Sequence, residues 1–243
     1  NYYNKNGPGV NAYDVSPDAG YLAYGVSYGG SDWFTVYVRD VRTGEDLEGE
    51  TIEWCKFSDI EWTTDSTGFY YARYAKPESL GSGDAQGAAG TETDAAENQM
   101  IYFHKVGTPV AQDRLGYKTP EHPKWMFGTS VSDDGRFLLV TTNDSCDPVN
   151  RLYMRDLHRE AASGGDAPMI KAVDNLDAMW SYVTNDGDDF VFMTNRDAPR
   201  CMVVRVAGLG GANDEATARA CFSKTSVQVL VPESATDVLE SVQ

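Results

Sequence analysis

The sequence predicts an all-β protein, a β-propeller of about four four-stranded blades. A strand-turn-strand motif recurs four times, and a third strand candidate follows each copy. Two of the three intervals between copies are near 50 residues, as in propeller blades, and the longer one contains a predicted insertion. The chain has 243 residues, 41% of them hydrophobic, which is enough to bury a core of this size. A β-sandwich would need no such self-similarity, so we favour the propeller over that competitor.

The recurring motif combines a hydroxyl residue, an Asp and Gly pair that suits a tight turn, and an aromatic or β-branched strand. Its four copies are DVSPDAGYLAYGVS, IEWTTDSTGFYYARY, SVSDDGRFLLVTTN and YVTNDGDDFVFMTN. The third strands are predicted at WFTVYVRDV, QMIYFHKV, RLYMRDL and CMVVRV, and further short strands follow most of them. Each unit is therefore expected to be a four-stranded meander.

The expected blades cover residues 11–55, 56–120, 121–175 and 176–233, and residues 234–243 are expected to begin a further blade. Residues 77–99 are poor in large apolar side chains and rich in Gly, Ala, Ser, Thr and acids. Such a segment cannot bury enough surface to hold itself together, so we expect a flexible insertion between two strands of the second blade. The start of a fifth blade favours a partial arc of a larger propeller.

Ser27 lies in GVSYG, which satisfies the G-x-S-x-G pattern of hydrolase nucleophiles. That pattern carries mechanism only when the serine stands on a sharp turn from a strand into a helix. Here Trp33 to Val38 reads WFTVYV, a run of aromatic and β-branched residues that favours a strand. We therefore interpret Ser27 as a residue of a hairpin loop and not as a catalytic nucleophile.

The charge and the distribution of apolar residues argue against two partners, nucleic acid and the membrane. The net charge of −17, from 37 acidic and 20 basic residues, argues against nucleic acid, whose phosphates require clustered Lys and Arg. No apolar run approaches the roughly 20 residues that span a bilayer, and the first residues do not resemble a signal peptide, so no membrane association is expected.

The four cysteines show neither metal-site nor dense disulfide spacing; they are Cys55, Cys146, Cys201 and Cys221. Free thiols in a reducing compartment are the simplest interpretation and favour the cytoplasm, although two disulfide bridges stay possible on count alone. The aspartates beside the turn glycines, which are Asp133, Asp134, Asp186, Asp188 and Asp189, are interpreted as turn residues rather than cation ligands. No metal or other cofactor is expected.

Several stretches resemble one family closely; they are DAGYLAYGVSYGGSDWFTVYVRDV, KFSDIEWTTDSTGFYY, GTETDAAENQMIYFHKVGT, PKWMFGTSVSDDGRFLLV, CDPVNRLYMRDL and VLVPESATDVLE. They are similar to the prolyl oligopeptidases, serine peptidases with a seven-bladed propeller over an α/β-hydrolase domain. The resemblance spans nearly the whole chain. It implies that the Ser-Asp-His triad lies in a hydrolase domain absent from this sequence, and that His104, His122 and His158 are surface or packing histidines.

The resemblance also assigns a substrate pocket. Phe57 of KFSD, Met126 of PKWM and Cys146 of CDPVN match family positions that line an apolar pocket near the cleaved proline, and a soft apolar wall of this kind suits a variable side chain. Without the resemblance, Phe57 and Met126 would be interpreted as core between blades. Asn143 stands where family members commonly have an arginine, so its contact with the bound peptide is expected to be weaker.

Two hypotheses follow. The first is the gating and substrate-pocket portion of a prolyl oligopeptidase-like endopeptidase that cleaves short peptides after proline, with the α/β-hydrolase domain of the same parent protein and short proline-containing peptides as partners. The alternative is a free-standing, non-catalytic propeller that binds peptides or proteins. A source gene that continues into a hydrolase domain with a glycine-flanked serine would favour the first hypothesis.

Overall fold

The computed structural model describes residues 8–78, 96–165 and 167–242. In these ranges the chain forms four four-stranded antiparallel sheets, and the strands of each sheet are neighbours in sequence order. The predicted all-β architecture of four-stranded blades is therefore confirmed.

The strands of the first two sheets are β1 (Gly9–Val15), β2 (Tyr21–Ser27), β3 (Phe34–Asp40), β4 (Ile52–Cys55), β5 (Ile60–Trp62), β6 (Gly68–Arg73), β7 (Met100–Lys105) and β8 (Arg114–Lys118). Those of the third and fourth sheets are β9 (Met126–Val131), β10 (Phe137–Asn143), β11 (Arg151–Asp156), β12 (Ile170–Val173), β13 (Trp180–Asp186), β14 (Asp189–Thr194), β15 (Met202–Val206) and β16 (Val227–Val231).

Short helices, which the sequence pattern does not predict, occupy some of the strand connections. They are α1 (Leu157–Ala162), α2 (Glu215–Cys221) and the 3-10 turns Val110–Gln112 and Leu209–Gly211. Each α-helix begins at an aspartate whose carboxylate accepts a backbone N–H, Asp156 from Arg159 at 3.0 Å and Asp214 from Thr217 at 2.8 Å. These caps satisfy N–H groups that a helix of six or seven residues cannot satisfy itself.

The hydroxyl-Asp-Gly motif forms the turn between the first and second strands of a sheet. In the first sheet the Ser16 hydroxyl donates to Asp18 at 2.7 Å and accepts the Tyr21 N–H at 2.9 Å. The third sheet repeats this arrangement, with Ser132 donating to Asp134 at 2.6 Å and accepting the Phe137 N–H at 2.8 Å. The hydroxyl therefore bridges the turn carboxylate and the incoming strand.

The fourth copy of the motif is tighter than the others. Asp186 pairs with Asp189 across the hairpin, which leaves Gly187, at φ 57°, and Asp188 as a two-residue turn of the type that favours glycine. Asp188 accepts a hydrogen bond from Arg136 at 2.9 Å and Asp189 accepts the Gly208 N–H at 2.8 Å. Of these aspartates, Asp188 thus lies in the turn itself, and Asp186 and Asp189 flank it.

The chain divides into two compact units, Asn1–Thr129 and Ser130–Gln243, and each has its own apolar core. In the first unit, side chains of the first two sheets pack together, including Val36, Ile52, Trp62, Phe69 and Tyr71. In the second, the core combines strands of the later sheets with α2 and includes Phe137, Leu152, Trp180, Phe190 and Phe192.

The predicted insertion at 77–99 falls between β6 and β7, and residues 79–95 of it lie outside the described residues. A further blade was expected to begin at residues 234–243. Of these, the described residues 234–242 contain no strand, and the Leu239 N–H donates to the Arg200 carbonyl at 3.0 Å. That further blade stays a prediction. Among the described residues, no helix has the length and apolar character needed to cross a membrane.

Candidate functional site

The four residues assigned to a peptide pocket fall in both compact units. Phe57 and Met126 belong to the first unit, and Asn143 and Cys146 belong to the second. Each pair therefore has its own local structure.

Phe57 lies in the connection between β4 and β5, and its side chain is 54% exposed. Its backbone φ of 51° is in the left-handed region, which bulky residues rarely adopt without support from their surroundings. The Lys56 ammonium lies 5.2 Å from the Phe57 ring centroid. Phe57 is not a core residue, so the packing interpretation of this position is wrong.

The Gln99 carboxamide holds the backbone of the Phe57 loop against the start of β9. Its Nε2 donates to the Lys56 carbonyl at 2.9 Å and to the Phe57 carbonyl at 3.2 Å. Its Oε1 accepts the Phe127 N–H at 2.7 Å, next to Met126, which is half-buried at the first position of β9. Because Gln99 is only 1% exposed, it joins both predicted pocket segments of the first unit from inside the fold.

An aromatic group adjoins the Phe57 loop. Trp33 packs edge-on against Trp54 at 5.9 Å and against Tyr74 at 5.6 Å between ring centroids, and the Lys56 ammonium lies 5.1 Å from the Trp33 ring. Trp54 has a φ of 66° where β4 carries an extra residue relative to β3, so this bulge turns its indole toward Trp33.

In the second unit, Asn143 is the half-buried last residue of β10, and Cys146 is exposed in the following loop. Ser145 shapes that loop, because its hydroxyl donates to the Asp147 carboxylate and accepts the Asp147 N–H, both at 3.2 Å. The Asn195 amide then fixes the loop by donating to the Pro148 carbonyl at 2.8 Å. Cys146 is thus exposed to solvent in a polar turn, and the hydrogen bond from Asn195 holds the end of that turn at Pro148.

Asn150 ends the Cys146 loop and repeats the arrangement seen at Gln99. Its Oδ1 accepts the Trp180 N–H at 2.7 Å, and its Nδ2 donates to the carbonyls of Arg151 and Trp180 at 2.9 and 3.2 Å. Gln99 and Asn150 each directly precede the third strand of a sheet, and each binds the first strand of the next sheet. Both predicted pocket loops are therefore tied to an amide at the same position of the blade repeat.

The four cysteines are free thiols and differ strongly in exposure. We expect Cys146 to react with iodoacetamide under native conditions far faster than Cys55, because Cys55 is fully buried and burial raises the pKa of its thiol to about 12. Peptide mapping by mass spectrometry after labelling at one fixed pH measures the two rates. A Cys146 thiol that labels slowest of the four would contradict its exposed position.

Ser27 is the last residue of β2, and β2 pairs with β3 in an antiparallel hairpin. It therefore lies in a hairpin followed by a strand, as expected, but at the strand end and not in the loop itself. Its hydroxyl lies 3.5 Å from the Gly9 carbonyl oxygen, to which it donates. The histidines have different surroundings. His122 stacks on Trp125 at 3.9 Å between centroids, His158 is exposed in α1, and His104 is fully buried.

Sequence reasoning missed Gln99, Asn150 and Trp54 as parts of this site. The two amides could have been found by aligning the four units, because both stand immediately before the third strand. No local signal predicts the positive φ of Trp54, since the bulge depends on how β3 and β4 pair.

The model of the family described as "Prolyl oligopeptidase, N-terminal beta-propeller domain" matches residues 4–243. Among curated proteins, the prolyl endopeptidase of Dictyostelium discoideum is 31% identical, over 100% of this chain and 35% of that protein. The prolyl oligopeptidase A of Amanita bisporigera is 32% identical, over 80% of this chain and 26% of that protein.

A solved structure of prolyl oligopeptidase B from Galerina marginata, bound to a 25mer macrocyclization substrate, has a TM-score of 0.75 and 29% identity, covering 93% of this chain and 30% of that chain. The chain thus spans about a third or less of the length of the proteins that it matches.

Proposed function

This chain belongs to the prolyl oligopeptidase family, as a portion of its N-terminal β-propeller domain, and from that premise we propose that it gates and lines the substrate pocket of a serine endopeptidase. The substrates are short peptides cleaved after proline. The catalytic groups come from an α/β-hydrolase domain of the same parent protein, which is the partner of this propeller portion. The free cysteines support a reducing compartment, and we place the protein in the cytoplasm.

The observation that carries this proposal is the exposed aromatic ring of Phe57, on a loop whose backbone is held by hydrogen bonds from Gln99. An apolar side chain that is 54% exposed loses contact with water when a ligand covers it, which favours binding. The hydrogen bonds of Gln99 fix the loop in advance, so less conformational freedom is lost when a peptide binds. Phe57, Met126, Asn143 and Cys146 are the substrate-binding residues of the proposal.

Asn143, in place of the arginine of some relatives, should weaken one contact with the bound peptide. A carboxamide can donate hydrogen bonds to a peptide carbonyl but carries no charge, and it is shorter than a guanidinium fork. The enzyme should therefore hold this part of the peptide less tightly than relatives with an arginine there, and depend more on the apolar contacts of Phe57 and Met126.

A chimera tests the pocket assignment. This chain replaces the matching portion of the Dictyostelium prolyl endopeptidase, and cleavage of X-Gly-Pro-reporter peptides is measured with apolar or acidic X. We expect Phe57→Ala to raise KM roughly tenfold for apolar X and to leave kcat unchanged, because a binding contact shared by ground and transition states is lost.

Leu115→Ala is the matched control, since Leu115 is also an exposed apolar side chain, at 40%, but lies on β8 outside the predicted pocket. The pocket assignment fails if Phe57→Ala and Leu115→Ala have the same KM for every X. If the chimera cleaves no peptide while a chimera built from another relative's propeller does, the gating proposal itself fails.

A further inference from the structure

A buried cluster of three ionisable side chains connects the first two sheets within the first unit. His104 on β7 is 0% exposed, Glu50 before β4 is 4% exposed, and the Asp113 side chain before β8 is 1% exposed. His104 Nε2 lies 3.1 Å from a Glu50 oxygen, and Nδ1 lies 2.8 Å from an Asp113 oxygen. None of the three side chains belongs to the predicted pocket or to the hydroxyl-Asp-Gly motif.

The geometry fixes the number of protons in the cluster. A neutral imidazole has one N–H donor and one nitrogen lone pair, and an ionised carboxylate only accepts. With a neutral ring and two ionised carboxylates, one ring nitrogen would point its lone pair at a carboxylate oxygen in a buried site, which is repulsive and costly. Both contacts are favourable only when the cluster holds one more proton, on the ring or on one carboxyl group.

The remaining oxygens of the cluster are occupied. The Gly107 N–H donates to the second Glu50 oxygen at 2.8 Å, and the Tyr71 hydroxyl donates to the second Asp113 oxygen at 2.7 Å. Among the described residues, Tyr71 on β6 is a further titratable group that faces the cluster, and Arg73 and Cys55 act electrostatically on Tyr71. Burial, followed by the hydrogen bond to Asp113, raises the pKa of Tyr71, so its hydroxyl keeps its proton and stays a donor.

We propose that Glu50, His104 and Asp113 form a proton lock, in which uptake of one proton closes the contact between the connection before β4 and strands β7 and β8, and loss of that proton at alkaline pH loosens it. The segment that it controls includes β4, which leads directly into the Phe57 loop. The lock is a property of the propeller itself and does not depend on the proposed peptidase function.

The direction of the pH dependence follows from proton counting. Burial alone lowers the pKa of His104, but the hydrogen bonds to Asp113 and Glu50 and their charges outweigh it, so the pKa is raised. In the unfolded chain the pKa of His104 is about 6.5. The stabilisation is therefore fully present below that pH and is lost as the pH rises through the higher pKa of the folded chain.

The variant Glu50→Gln separates the lock from simple packing. Its amide can still accept the Gly107 N–H, and its NH₂ group can donate to a neutral His104, so all contacts are satisfied without the extra proton. The matched control is Glu53→Gln, which removes one exposed carboxylate from β4.

Urea unfolding at pH 6 and pH 9 gives the ratio of unfolding equilibrium constants for each variant. The ratio compared is the unfolding equilibrium constant at pH 9 divided by that at pH 6, so a larger ratio means a greater loss of stability at alkaline pH. For the wild type and Glu53→Gln we expect this ratio to exceed that of Glu50→Gln by about tenfold or more. In the wild type, amide exchange corrected for intrinsic rates should increase from pH 6 to pH 9 in residues 46–56 and 104–113 relative to β14. Equal ratios for wild type and Glu50→Gln, a loss of the effect in Glu53→Gln, or unchanged wild-type exchange would each overturn the proposal.

Discussion

Replacement of Gly68 by Ala is expected to lower the free energy of unfolding by at least about 3 kcal/mol. A Cβ at this position, the first residue of β6, would lie 2.1 Å from the His104 carbonyl oxygen and 2.7 Å from the Phe103 ring. The carbonyl is backbone of β7, which pairs with β6 along six residue pairs. Relief of the clash therefore requires the two central strands of the second sheet to move apart.

Urea unfolding followed by tryptophan fluorescence measures this effect, with Gly9→Ala as the control. A Cβ at Gly9 meets only the Ser27 hydroxyl oxygen, at 3.6 Å, which is an ordinary contact. We expect Gly9→Ala to change the free energy of unfolding by less than about 1 kcal/mol. Similar midpoints for the two variants would show that β6 and β7 are not packed as described.

The sheets were predictable because their signals are local. Each hairpin combines turn residues with an apolar strand within about 15 residues, and the contacts of Ser16 and Ser132 show why a hydroxyl stands at that position: it satisfies the carboxylate of the turn and the first N–H of the next strand. The exposed position of Cys146 also follows from local features, because it lies in a polar loop.

The rest depends on segments far apart in sequence. His104 stands in a strand whose pattern predicts only a packing residue, and its two carboxylate partners come from separate connections. Helices α1 and α2 have six and seven residues. They are too short to show the helical repeat of apolar residues, which needs a window of about 11 residues or more. Whether a polar side chain such as Gln99 is buried is decided by strands that pack around it, and a single position in the sequence does not show this.

Among the residues whose role depends on long-range packing, Gln99 has the largest effect on the candidate site. Gln99→Met keeps the approximate size of the side chain but leaves the carbonyls of Lys56 and Phe57 and the N–H of Phe127 without their partner. Since a buried polar group without a partner costs roughly 1–3 kcal/mol, we expect a loss of about 3–5 kcal/mol in the free energy of unfolding. Gln112→Met, at an exposed position, is the control and should change it by less than about 0.5 kcal/mol.

Gln99→Glu shows whether the donor function of the amide is what matters. An ionised carboxylate can still accept the Phe127 N–H but would face the Lys56 and Phe57 carbonyls without a proton to donate, while a protonated carboxyl group can donate one hydrogen bond. Relative to wild type, Gln99→Glu should therefore be destabilised at pH 7 and partly recover at pH 5, with faster amide exchange in residues 56–59 at the higher pH. A Gln99→Glu variant as stable as wild type at pH 7 would mean that the amide does not hold the Phe57 loop. The proposed pocket would then not have a loop that is fixed before the peptide binds.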